Sequence, residues 1–185
     1  MPQFSYTEAG DRDLIQNEKS WEARQNPATV YELLKKTADA QGGAPAVSFQ
    51  IFSGPKDKAE TLSWRSLHDK SVQTANLFRS LGIREGDVVA YILPNANETL
   101  LALLGGMIAG IVSPINPLLD AEQIGSILRE TGAKVVVTLK GFPHTDVAQK
   151  AHDAVALAPD VAHVLEGDLN RYLTFPKNLI VPVIR

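Results

Sequence analysis

The sequence contains no cysteine in 185 residues. That excludes disulfides, thiolate metal sites and a cysteine nucleophile, and it suits a reducing cytoplasm, the expected location. No excess of one charge is present. The 18 Lys and Arg against 21 Asp and Glu give −3 at pH 7, and no stretch forms a basic patch, so nucleic acid is not an expected partner. Phosphate loops of the Gly-x-x-x-x-Gly-Lys-Ser/Thr and strand-following Gly-x-Gly-x-x-Gly kinds are absent, as is a Gly-x-Ser-x-Gly nucleophile elbow. Residues 1–26 lack the basic start and apolar stretch of a signal peptide. One long uncharged run exists, Thr99 to Leu119. Gly105, Gly106 and Gly110 interrupt it and Pro114 and Pro117 follow, so a buried helix, a turn and a buried strand are expected rather than a membrane span.

What remains is an ordinary globular composition, 44% hydrophobic and 21% charged. The length fits one domain with a tail, enough to bury roughly 70% of the unfolded surface. Residues 1–27 show neither helical nor strand period and read as an extended N-terminal tail. Residues 28–185 read as one α/β unit.

Within that unit the punctuation is regular. Thr29-Val30-Tyr31-Glu32 is a capping box, followed by Val30, Leu33, Leu34 and Ala38 on one helix face and stopped by Gly42-Gly43. Ala46 to Phe52 predicts a strand, joined through a breaker-rich loop to a short strand at Glu60 to Leu62, as a hairpin. Ser63 caps a long helix with Leu67, Val72, Ala75, Leu77, Phe78 and Leu81 as its stripe, and Gly82 supplies a left-handed end. Strands follow at Val88 to Leu93, Val112 to Asn116, Val135 to Leu139 and Val161 to Leu165. Between them fall helices opened by Asn95-Ala96-Asn97-Glu98 and Asp120-Ala121-Glu122-Gln123, and a third over His144 to Ala156. A last apolar run occupies Leu179 to Ile184.

Alternation of strands and helices at this spacing predicts a mostly parallel sheet with right-handed crossovers. The runs Val88 to Leu93 and Val135 to Leu139 do not alternate, so both sheet faces are covered. The expected fold is a three-layer α/β sandwich with a doubly wound sheet.

Residues able to carry chemistry are few. Gly105, Gly106 and Gly110 lie in and after a helix, where small residues serve close packing rather than an anion cradle. His144, Asp146, Lys150, His152 and Asp153 form the one histidine–carboxylate cluster. The histidines are eight apart, and zinc usually takes an i,i+4 pair and a third ligand, so this reads as a solvated face with an Asp146–Lys150 pair. In an open α/β sheet a ligand would lie beyond the carboxyl ends of the strands, where Asn95, Asn116 and Lys140 fall. Asn95 reads as a helix cap and Asn116 as a turn residue, and Lys140 alone is a weak phosphate candidate.

Several stretches, in order and at spacing, resemble the N-terminal part of the adenylate-forming enzymes, in particular the acyl-CoA synthetases. They are Leu62-Ser63-Trp64-Arg65-Ser66-Leu67, Leu81-Gly82-Ile83-Arg84-Glu85-Gly86-Asp87, Leu93-Pro94-Asn95, Ala109-Gly110-Ile111-Val112-Ser113-Pro114-Ile115-Asn116-Pro117 and Thr131-Gly132-Ala133-Lys134-Val135-Val136-Val137-Thr138. The resemblance covers about residues 28–140, weakening toward 165. Ile108 stands where the family commonly has lysine, and Ser113 replaces a larger residue. The resemblance implies a parent that uses ATP, Mg and coenzyme A on a carboxylic acid. The family's landmarks are a Ser/Thr/Gly-rich loop ending in Pro-Lys, an acidic residue on the ribose and a lysine in a mobile lid. None has a counterpart here, so no catalytic, cofactor-binding or metal residue is carried over. An inert N-terminal fragment with no cofactor bound, able to form a homo-dimer through uncovered apolar surface, is the expectation. A stand-alone flavodoxin-like binding or regulatory module is the alternative.

Overall fold

The computed structural model describes residues 8–20, 22–24, 27–54 and 57–181. Its centre is a four-stranded sheet of β3 (Val88–Tyr91), β4 (Ile111–Pro114), β5 (Ala133–Leu139) and β6 (His163–Gly167), in the order β4-β3-β5-β6. All three pairings are parallel, with Val89 opposite Val112 and Val135, and Val137 opposite Leu165. The connecting helices are α4 (Asn97–Ala109), α5 (Ala121–Thr131) and α6 (Val147–Ala156). From β3 the chain steps to β4 on one side, then back past β3 to β5 and on to β6. Right-handed crossovers therefore put α4 on one face and α5 and α6 on the other. The long α3 (Trp64–Ser80) packs on α4, and α5 packs on α6. This is the expected doubly wound sandwich.

The sheet core follows from the unbroken apolar runs. Val89, Ala90, Val135 and Val136 are wholly buried between the helical layers, with Phe78, Ile83, Ile92, Ile124, Leu128 and Leu139 as the largest enclosed side chains. Each such side chain contributes about 1.5–3 kcal/mol relative to exposure. A second, smaller core of Leu34, Leu62 and Leu67 lies under α2 (Val30–Gln41) and the hairpin of β1 (Pro45–Phe49) and β2 (Glu60–Ser63).

Local signals set most boundaries. Thr29 Oγ1 accepts from the Glu32 amide at 3.1 Å while the Glu32 carboxylate accepts from the Thr29 amide, and Asp120 and Gln123 make the same reciprocal pair. Ser63 caps α3 by accepting from the Ser66 amide. Gly82 and Gly132 sit at φ +94° and +62°, ending α3 and α5 in conformations that a side chain disfavours.

Four expectations need correction. Residues Ala9–Glu18 form a helix, α1, where an extended tail is expected. None of its residues is buried, so no apolar stripe announced it; the Arg24 guanidinium, in a 3-10 turn at Glu22–Arg24, donates to its Ile15 carbonyl. The helix at 97 is capped by Ala96, with no side-chain hydrogen bond, rather than by Asn95. The helical stripes are narrower than read. Leu33 and Leu77 are exposed, and α3 buries Ser71 in the register of Leu67, Ala75 and Phe78. Ser71 can lie there because its hydroxyl donates to the Leu67 carbonyl at 2.7 Å, one turn back. The helix expected from His144 starts only at Val147, because His144 adopts φ +62°. The terminal run is partly a short helix, α7 (Lys177–Ile180); residues 182–185 lie outside the described residues.

Candidate functional site

The doubly wound topology creates a place for a ligand. Beyond β3 the chain turns into α4 on one face, and beyond the adjacent β5 it turns toward α6 on the other, so a crevice opens between the two carboxyl ends. Its floor is tied across: Ile92 N–H donates to the Val137 carbonyl at 2.8 Å, and buried Thr138 Oγ1 donates to the Ile92 carbonyl at 3.3 Å.

The chain itself fills this crevice. After β6 a 3-10 helix, Leu169–Tyr172, lies over the sheet end, opened by Asp168, whose side chain accepts from the Asn170 amide at 2.9 Å. Leu169, Tyr172 and Leu173 are buried, and Leu169 and Tyr172 belong to the sheet core. The Tyr172 ring meets Phe49 edge-on at 4.8 Å.

Five polar side chains, two from that segment and three from around it, form a network there. Arg171 pairs with Glu60 at the start of β2 and with Glu98 in the first turn of α4, at 3.1 Å for the latter. The Tyr172 hydroxyl donates to Glu98 Oε2 at 2.8 Å. Asn97, 2% exposed, donates from Nδ2 to Glu60 Oε2 at 3.0 Å. Burial pushes the Glu60 carboxyl up, but the hydrogen bonds from Asn97 and Arg171 outweigh it and hold the group below the usual carboxylate range. Burial, then the bond to Glu98, pushes the Tyr172 hydroxyl far up, so it stays a neutral donor.

This arrangement does not fit ATP. The first turn of α4 could offer free amides to a phosphate, but Glu98 sits in that turn with Glu60 nearby, and two carboxylates repel a polyanion. Leu169, Tyr172 and Leu173 are themselves buried there. No step of a reaction is assigned to these residues. Sequence reading missed the network because its Arg171–Glu60 pair joins positions 111 apart and no local spacing links the members.

The residues singled out from sequence lie elsewhere or serve the frame. Asn95 is exposed. Asn116 Oδ1 accepts from the Leu118 amide at 3.0 Å, a side-chain-built turn. Lys140 is exposed, and its backbone amide extends the β5–β6 pairing to the Gly167 carbonyl. The histidine cluster is dispersed: His152 pairs with Glu166 at 2.8 Å, Asp153 accepts from Gln149, Lys150 pairs with Asp146 and also donates to the Pro117 carbonyl, and His144 lies outside the helix. Among the described residues no group of three His, Cys, Asp or Glu side chains could hold a metal ion. A Cβ at Gly105 would come within 2.6 Å of the Thr74 side chain, which confirms close α3–α4 packing as the use of that glycine.

Two surface features complete the picture. A cleft of about 960 Å³ lies at the opposite end of the sheet, between Arg84, Gly86, Met107 and Ile111, remote from the strand-end crevice. An apolar groove of about 390 Å³ runs between Phe52, Phe142, Leu173 and Ile180, with Lys177 Nζ 4.2 Å above the Phe52 ring. No helix of the described residues is long and apolar enough to cross a membrane.

Comparison with known proteins agrees with the fold. A family model described as AMP-binding enzyme matches residues 34–177. The chain is 32% identical over 123 residues to the marinolic acid–CoA ligase of Pseudoalteromonas sp. (strain SANK 73390), covering 66% of this chain and 19% of that protein. It is 32% identical over 124 residues to a long-chain-fatty-acid–CoA ligase of Escherichia coli O6:H1, covering 66% and 21%. It thus spans about a fifth of the length of these relatives. Among solved structures, the anthranilate CoA ligase AuaEII in complex with anthranoyl-AMP superposes with a TM-score of 0.65 at 19% identity, covering 85% of this chain and 28% of that one. A Mycobacterium tuberculosis fatty acyl CoA synthetase gives 0.62 at 21% identity, covering 75% and 26%. At these identities the structures speak for the fold alone. The family match, over 144 of the 185 residues (34 through 177), settles membership: the chain belongs to the AMP-binding enzyme family.

Proposed function

We propose that this chain is the N-terminal scaffold portion, residues 28–185 after a tail at 1–27, of a cytoplasmic AMP-forming acyl-CoA synthetase. In that reaction the carboxylate oxygen of an acid bonds to the α-phosphorus of ATP and pyrophosphate leaves. The thiol sulfur of coenzyme A then bonds to the acyl carbon, and AMP leaves. ATP would enter with Mg. Family membership over residues 34–177 carries this reading. The names of relatives, including acyl–CoA ligases, support the reaction class.

The portion alone is inert in this reading. The observation that supports inertness is the strand-end crevice filled by Tyr172 and Leu173, with Glu60 and Glu98 beside it. The apolar side chains left on the surface, Phe175 at 78% and Leu179 at 61% exposure, would associate with a second copy.

The test is carboxylate-dependent exchange of pyrophosphate into ATP. The 185-residue polypeptide is expected to give none above the blank, and exchange by it would overturn the inert part. A polypeptide extended along the natural reading frame, where a Ser/Thr/Gly-rich loop ending in Pro-Lys is the expected continuation, should exchange and form acyl-CoA. A continuation without that loop would overturn the parentage. A strictly monomeric chain in sedimentation would overturn the self-association.

A further inference from the structure

We propose that residues 168–173 form a strap, latched by Arg171 across the carboxyl ends of β3 and β5, that lifts away while the sheet stays folded. The inference concerns this chain's own crevice and stands independently of the reaction assigned to its parent.

The strap differs from everything beneath it in how it is held. The last backbone tie to the sheet is the Lys140 amide on the Gly167 carbonyl at 2.9 Å, just before the strap begins. Beyond Gly167 the backbone bond of Leu173 runs to Asn170, inside the segment itself. Long-range attachment therefore rests on side chains: the buried Leu169, Tyr172 and Leu173, and a polar latch over them. Arg171 spans Glu60 on the hairpin and Glu98 on α4, its carbonyl accepts from Lys58 Nζ at 3.1 Å, and Tyr172 holds Glu98. A clamp of ion pairs that water can reach opens more readily than a ladder of enclosed amides, and Arg171 is 46% exposed.

A second observation points the same way. Four buried side-chain polar atoms lack a protein partner among the described residues: His68 Nε2 and the Oδ1 atoms of Asn97, Asn170 and Asn178. Three of the four belong to the strap region. Asn170 lies in the strap, Asn178 is tied to it through the bond from Asn170 Nδ2 at 3.0 Å, and Asn97 lies one residue from the Glu98 that latches it. In the closed state no protein donor among the described residues reaches these three oxygens, so closure gains no protein hydrogen bond at them. The strap also covers the ligand crevice of the topology, so access to that crevice is conditional on the latch.

Peptide-resolved hydrogen–deuterium exchange of the whole chain, over a urea series below the unfolding transition, tests this. The amides of residues 169–173 are expected to exchange at least 100-fold faster than those of β3 and β5, with a urea slope that is measurable but shallower than that of the sheet. Raising NaCl to 1 M in the unmodified chain should speed the strap further. Arg171→Met should speed it at least tenfold, and Arg171→Lys should fall between, because one ammonium cannot bridge both carboxylates as the guanidinium does. Strap amides that share the protection and urea slope of the sheet would overturn the proposal. So would a strap rate unmoved by salt or, in a folded variant, by Arg171→Met.

Discussion

The Tyr172 hydroxyl donates to Oε2 of Glu98 at 2.8 Å, joining residues 74 positions apart and fastening the 3-10 helix after β6 to the first turn of α4. Tyr172 is 3% exposed, so removal of its hydroxyl leaves a carboxylate oxygen short of a donor in an enclosed place. Hydrogen bonds to charged groups contribute about 1.5–3 kcal/mol. Glu98 keeps its pair with Arg171, so Tyr172→Phe should cost about 1.5 kcal/mol. Urea unfolding would show this as a lower midpoint with an unchanged slope.

Stability should fall in acid. Burial raises the Glu60 carboxyl, but Asn97 and Arg171 bring it below the usual range. Asp87 is lowered first by Lys134, 2.6 Å away, and then by the Arg84 amide. A carboxyl depressed in the folded state adds stability above its unfolded pKa, about 4 for these groups, and loses it as pH drops through the folded value. The urea midpoint should therefore be nearly level from pH 7 to 5 with respect to these groups and fall below about pH 4. Glu60→Gln should flatten that fall. An unaltered acid limb in the variant would count against Glu60 as a contributor.

Two capping changes should separate true caps from apparent ones. Thr29→Ala and Asp120→Ala each remove an acceptor for an amide three residues on and should cost about 1 kcal/mol. Asn95→Ala should be nearly neutral, because Ala96 holds the cap position. Thermal unfolding of the three variants measures the difference.

Gly110 should tolerate no side chain. A Cβ there would lie 2.6 Å from the Asp87 carbonyl oxygen and 2.9 Å from that of Arg84, both backbone atoms that cannot turn aside. Gly110→Ala should cost about 3 kcal/mol, at the upper end for forced overpacking. Gly43→Ala is the matched control, since nothing lies within 4 Å of the added atom. It should be neutral or stabilise by up to about 1 kcal/mol. Calorimetry of the two variants would reverse the argument if they behaved alike.

The sheet and its helices were legible because their signals are local. Solid apolar runs at Val88 to Leu93 and Val135 to Leu139 needed cover on two faces, and the Thr29 and Asp120 boxes opened their helices as read. Helix α1 escaped notice because it buries nothing, and Ser71 because a hydroxyl bonded to its own helix behaves as a small apolar group. The crevice could be placed from topology, but not its contents. Glu60, Asn97, Glu98, Arg171 and Tyr172 meet only through the tertiary fold, and a pairing across 111 positions leaves no trace in spacing. Asn95, Asn116 and Lys140 stood where topology pointed, while the polar side chains that gather there are others.

The order β4-β3-β5-β6 has a consequence for growth of the architecture. β3 and β5 each already have a neighbour on either side, so the middle of the sheet is closed to newcomers. Any additional strand, whether from a longer polypeptide or another molecule, can join only alongside β4 or β6. Enlargement of this frame must proceed outward from its two rims, and the pair at its heart is the part that later additions leave undisturbed.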